Sequence, residues 1–176
     1  LQQAIIEEIY SRVKIVIGVG GCTIQEIDNA LGVFNKRETI LMFGFQNYPT
    51  KYADVNLKRI RKIQALYSDK KYGYADHTAW NENNNELITL LLSGNGMRYI
   101  EKHITTEYGK ERCDYSAAIS IEMFNSLANK VNLLNSIAGD GSILLNEGEQ
   151  QYSKYGPMKM AGVANKSLKK GEIVSL

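Results

Sequence analysis

The chain has 176 residues, of which 44% are apolar and 23% charged, with a formal net charge of +2. That length suits one hydrophobic core, the ordinary apolar share excludes wholesale disorder, and the near-neutral balance excludes a nucleic-acid surface built on basic excess. No apolar run approaches the roughly 18 residues of a membrane span, and no charged-then-apolar leader marks export, so the expected setting is cytoplasmic.

The opening stretch, LQQAIIEEIYSRV, reads as an amphipathic helix with no initiating Met, as though the sequence begins partway through a longer protein. KIVIGVG follows, a β-branched apolar run too short for a helix and closed by glycines, hence a strand. In TIQEIDNALGVF, Thr23 with Glu26 three positions on is a capping box, and Ile24, Ile27 and Leu31 form an apolar face. TILMFGF is the second strand. LKRIRKIQAL, the densest basic stretch, spaces Leu57, Ile60, Ile63 and Leu66 as a helix whose charges form a solvated face. KYGYAD is the third strand, followed by the polar loop NENNNE and the apolar helix ELITLLLSG. MRYIEKH is the fourth strand. After a long loop, Ile121, Phe124, Leu127, Val131, Leu134 and Ile137 mark a strong helical stripe. The pattern stops at Gly139. DGSILLNEGEQQYSKYGPMKM reads as a linker and AGVANKSLKKGEIVSL as the opening of a small β module. Cys22 and Cys113 match no metal or redox spacing and read as reduced, packed thiols.

Strands apolar on both faces in strict alternation with helices predict an α/β fold with a parallel sheet covered by helices. Four such units make either half of an eight-stranded barrel or a small open sheet, and the leading helix favours the barrel because it looks like the tail of a preceding unit. In both architectures ligands bind beyond the carboxyl ends of the strands. The polar residues there are Gly18, Gly20, Gly21 and Thr23 on the first strand, and Gln46, Asn47 and Tyr48 on the second. The third supplies Asp76 and His77, and the fourth Glu101 and His103, with Asp114 in the loop beyond.

His77 and His103, the only histidines, end consecutive strands. Neighbouring strands lie about 4.8 Å apart, so two imidazoles at matched depth could share a divalent ion and leave positions open for Lewis-acid chemistry. The competing reading is that each histidine bonds a carboxylate or backbone group at the rim. Tyr48 before Pro49 could equally be a packed ring in a turn, Asp114 a loop residue, and Gly20-Gly21 a tight turn rather than a phosphate cradle at a helix start.

Taken in order, KIVIGVGGCTIQEIDNAL, NYPTKYADVNLKRIRKI, YGYADHT, YIEKHIT, CDYSAAISIEMF and KSLKKGEIVS resemble the second half of the sialic acid synthases, the family of N-acetylneuraminate, legionaminate and pseudaminate synthases. The resemblance implies the last four units of a (β/α)8 TIM barrel over residues 1–139, a linker over 140–160, and the truncated start of a SAF (antifreeze-like) domain over 161–176. It implies condensation of phosphoenolpyruvate with an N-acylated hexosamine, releasing phosphate, in a homodimer. It also implies that His77 and His103 hold a divalent ion, commonly Mn2+, and that these two residues act in catalysis with Asp114. By the same resemblance Tyr48, Gln46 and Asp114 contact substrate. Three positions depart from the family pattern: Ala75 and Gly18 stand where hydroxyls help hold the phosphate, and Gln46 where Asn is usual. Those departures raise the alternative of a non-catalytic or substrate-shifted relative that binds a sugar or metabolite.

Overall fold

The computed structural model describes residues 13–34, 38–44, 47–156, 160 and 162–173. The helix expected from Leu1 and the candidate substrate contact Gln46 lie outside the described residues. The chain divides into two compact units, Leu1–Ala138 and Gly139–Leu176.

In the first unit, β1 (Ile15–Gly18), β2 (Thr39–Phe43), β3 (Lys71–Asp76) and β4 (Tyr99–Lys102) form a sheet in the order β1-β2-β3-β4. All three pairings are parallel. Right-handed crossovers demand a connecting element between parallel neighbours, and α1 (Ile24–Val33), α2 (Leu57–Leu66) and α3 (Leu87–Ser93) supply it. The first two helices start where the sequence supplies a cap. Thr23 and Glu26 form the expected capping box on α1. Asn56 accepts from the Arg59 amide at the start of α2.

Side chains alternate across a strand, and one set meets the helices. Leu41, Phe43, Tyr72 and Tyr74 pack with Ile27, Ile60, Ile63, Ile88 and Leu92 into a single cluster. Residues of the other parity, such as Met42, Gly73, Ala75 and Tyr99, therefore line the opposite face. The parallel sheet with helical crossovers agrees with expectation. Among the described residues it is open, with β1 and β4 at its edges.

Three features differ from the sequence reading. A short parallel pair, β5 (Ile104–Thr105) with β6 (Ile119–Ser120), follows β4 and leads into α4 (Ile121–Ala138). Pairs this short are made by tertiary contact and leave no periodic trace. The α4 stripe exists, but Leu127 is its only fully buried member, and Ile137 is 72% exposed. Cys113 is exposed rather than packed.

The second unit contains α5 (Glu147–Tyr155), with Asn146 and Glu149 forming a second capping box. The segment expected to be a linker thus carries a helix, set by that box rather than by apolar spacing. Over 161–176, where a small β module was expected, the described residues contain no strand, and Val163 and Ile173 are exposed.

Tyr72 ties β3 to the end of α2. Its hydroxyl donates to the Tyr67 carbonyl and, at 3.2 Å, to the Gln64 carbonyl. Burial first, then the nearby Asp69 charge, push this phenol up from 10.0 to about 12. A phenol raised in the folded state stabilises fully below its unfolded pKa and loses that contribution as pH rises through the folded value. The stability advantage of wild type over Tyr72→Phe, read by urea unfolding, should therefore hold up to pH 10 and shrink between pH 10 and 12. A difference that stays constant through that window would refute the assignment.

Candidate functional site

The register that pairs Asp76 with Lys102 brings the ends of β3 and β4 level. The next residues are His77 and His103, whose ring centroids lie 5.1 Å apart at 47°. By alternation both follow Ala75 and Glu101 onto the face away from the helices. His77 is 4% exposed. Its Nδ1 lies 3.1 Å from the Gly44 carbonyl oxygen. A carbonyl only accepts, so Nδ1 carries the proton, and in the neutral ring the lone pair sits on Nε2.

Gly44 can make this bond because it is glycine. Its φ is +112°, and a Cβ there would fall 1.9 Å from the Ala75 carbonyl oxygen. No L side chain fits that approach.

The Tyr48-Pro49-Thr50 turn closes over the pair. The Thr50 amide donates to the His77 carbonyl at 2.8 Å, and Thr50 bridges to Thr78. The Tyr48 ring lies 5.4 Å from that of His77 and meets His103 edge-on at 6.2 Å. The Tyr48 hydroxyl donates to the Asp114 backbone carbonyl at 2.6 Å, with Asp114 at φ +58°. Tyr48, His77, His103 and Asp114 thus come together from four separate segments. For Asp114 it is the carbonyl that joins the cluster, while its carboxylate accepts from the Cys113 thiol at 3.6 Å. Tyr48 does pack as a ring in a turn, and the rings it packs on are the two imidazoles.

Asp76, grouped with His77 from sequence, faces the other way. Its Oδ1 accepts from the Thr78 amide at 2.9 Å and the Thr78 hydroxyl at 2.6 Å. Oδ2 accepts from Thr89 on α3 at 2.6 Å and meets Lys102 Nζ at 3.1 Å. Both side chains of the ion pair are essentially without solvent contact. Burial holds the Lys102 ammonium below the usual lysine range, and the Asp76 charge opposes that effect. The alternation of a strand already implied this separation, since adjacent residues cannot serve the same face. Gly44 and Lys102 were not singled out from sequence. No signal short of the folded partner reveals Gly44, whereas Lys102 stands beside a candidate histidine as Asp76 does.

The helix-start reading of Gly20-Gly21 loses support. The Glu26 carboxylate accepts from the Thr23 amide at 2.7 Å and places a negative charge where an anion would sit. Glu101 is exposed on the imidazole face, Ala75 is fully buried there, and Gly18 ends β1. Among the described residues, no group of three or more His, Cys, Asp or Glu converges as a metal cage. The two imidazoles fit a divalent ion by donor type, with His77 held in the tautomer that presents Nε2, and they would occupy only part of its coordination.

Comparison with known proteins follows the same lines. The family model described as NeuB matches residues 2–143. An uncharacterized protein of Methanocaldococcus jannaschii is 28% identical over 165 residues, covering 92% of this chain and 47% of its own. N,N'-diacetyllegionaminic acid synthase of Legionella pneumophila is 26% identical over 137 residues, covering 74% of this chain and 37% of its own. The crystal structure of N-acetylneuraminic acid (sialic acid) synthetase from Leptospira borgpetersenii superposes with a TM-score of 0.73 at 24% identity, covering 88% of this chain and 53% of that one. The chain spans less than half the length of these curated relatives.

Gly44→Ala should destabilise the protein by more than about 2 kcal/mol, because it adds both a forbidden φ and a clash with backbone. Urea unfolding checks this, and unchanged stability would contradict the close approach of β2 to β3.

Proposed function

The chain belongs to the NeuB family, and from that membership we propose that the protein condenses phosphoenolpyruvate with an N-acylated hexosamine to give a nonulosonic, sialic-type acid and phosphate. Its relatives include synthases of legionaminic and pseudaminic acids, so an enzyme of this synthase kind is the coarser conclusion. The observation that supports the finer one is the pair of imidazoles 5.1 Å apart at the ends of adjacent strands.

Held by His77 and His103, a divalent ion such as Mn2+ would supply Lewis-acid polarisation of the acceptor's carbonyl oxygen. The chain's own residues do the rest of the work available to them. Gly44 fixes the His77 ring through Nδ1, so that ring cannot rotate its lone pair away. Tyr48 walls the imidazoles on one side and excludes water from that side. With the Asp114 carboxylate, the Tyr48 hydroxyl oxygen, which can still accept, orients sugar hydroxyls so that donor and acceptor meet in a productive pose. The new bond joins the enol carbon of phosphoenolpyruvate to the acceptor's aldehyde carbon, water adds at the carbon bearing the phosphate, and phosphate leaves. Gln46 is proposed as a further substrate contact. Residues 161–176 are proposed to open a SAF domain, and the active form to be a cytoplasmic homodimer.

Ala75 favours a second reading. A buried methyl stands on the imidazole face where the family resemblance expects a hydroxyl, and a lost donor to a charged group costs about 1.5–3 kcal/mol. A substrate-shifted or non-catalytic relative that binds a sugar or metabolite would tolerate that loss.

Phosphate release from phosphoenolpyruvate by the full-length protein, with and without Mn2+ and across N-acylated hexosamines, separates the two. Turnover is expected, and it should fall more than about 100-fold in His77→Ala, since even outer-shell losses at metal sites cost about 10–100-fold. Sugar binding without phosphate release would select the second reading, and unchanged turnover in a folded His77→Ala would refute the first.

A further inference from the structure

We infer that the buried Asp76–Lys102 pair is a positioning device that sets the depth and direction of the two imidazoles from behind the sheet. This rests on His77 and His103 acting as one ligand pair. Asp76 immediately precedes His77, Lys102 immediately precedes His103, and the two are register partners across β3 and β4. By strand alternation the pair lies on the helix-covered face and the rings on the other, so its influence on them runs through the backbone.

Each contact of the carboxylate restrains something the imidazoles need. The Thr78 amide bonding back to Asp76 Oδ1 closes a turn with His77 at its centre. A side chain that bonds the backbone two residues on fixes the φ and ψ between, which fixes the direction of the His77 Cα–Cβ bond. Thr89 anchors the same carboxylate to α3. Lys102 carries the restraint across to β4, one residue before His103. On the opposite face, Thr50 grips the His77 carbonyl and Gly44 grips its ring. His77 is therefore held from both sides.

Stability alone does not account for the choice of a charge pair. Replacing a buried ion pair by apolar residues of similar volume is often neutral or stabilising. Lys102 Nζ meets Asp76 Oδ2 at 3.1 Å in an ion pair closed off from solvent. What an ion pair adds over two apolar side chains is registry, because only one relative depth of the strands brings the charges together.

The test uses the full-length protein and Co2+ as probe, read by its visible absorption and by urea unfolding. Wild type should bind Co2+ in a manner that His77→Ala abolishes. If it does not, the imidazole site itself is wrong and the inference falls with it. The double variant Asp76→Leu/Lys102→Met removes both charges and the turn. It should unfold more easily than wild type, because the buried Thr78 and Thr89 donors lose their acceptor. While folded it should bind Co2+ about tenfold more weakly. Equal affinity in the folded double variant overturns the positioning role while leaving the site intact. Should the double variant fail to fold, Asp76→Asn decides. It keeps the turn through its amide oxygen, but the amide nitrogen that replaces Oδ2 can accept from neither Thr89 nor Lys102, so the charge tie to β4 and the tie to α3 are both cut. A several-fold loss of affinity supports the role, and an unchanged dissociation constant overturns it.

Discussion

The parallel pairing of β3 with β4, which sets Asp76 opposite Lys102, decides where two imidazoles end up. Strands in register rise together, so the residue after each pair member emerges at the same height, about 4.8 Å from its neighbour. The ring separation of 5.1 Å is that lattice spacing expressed in side chains. A slip of one residue would turn one histidine into the helix layer and the other to the open side. The two rings face one another only in this register.

Two different kinds of contact protect it. Behind the sheet, a cluster of aliphatic and aromatic side chains binds the helices to the strands, with Tyr74 and Leu41 fully buried. That packing is strong but tolerant, since apolar contact has little directionality. At the strand ends the contacts turn directional: the Asp76 network on one face, and Gly44, Thr50 and Tyr48 on the other. The change occurs where the geometry of single rings begins to matter. The loop carrying Asp114 is drawn in by the same logic, through one hydrogen bond from Tyr48 spanning 66 positions of sequence.

Much of this was legible in the amino-acid order. Short β-branched runs closed by glycine, alternating with capped amphipathic helices, admit little besides a parallel sheet with its ligand end at the strand termini, and that reasoning led to His77, His103, Tyr48 and Asp114. What stayed hidden depends on partners distant in the chain. Gly44 serves His77 across 33 positions, and only its folded neighbour Ala75 explains why a side chain is forbidden there. The β5–β6 pair is too short to impose a period. α5 lies in a polar stretch without apolar spacing and buries no side chain, so only the Asn146–Glu149 box marks it. Asp76 is the instructive case. Its place beside His77 suggested a shared task, while strand alternation already required that the two face apart.

The synthase reading and the positioning role of Asp76–Lys102 both require that one cation meet both rings. Electron spin-echo spectroscopy of Mn2+ bound to the full-length protein counts the imidazole nitrogens coupled to the ion. Two couplings are predicted in wild type, with one remaining in His103→Ala. A single coupling or none in the wild-type protein would contradict the shared site.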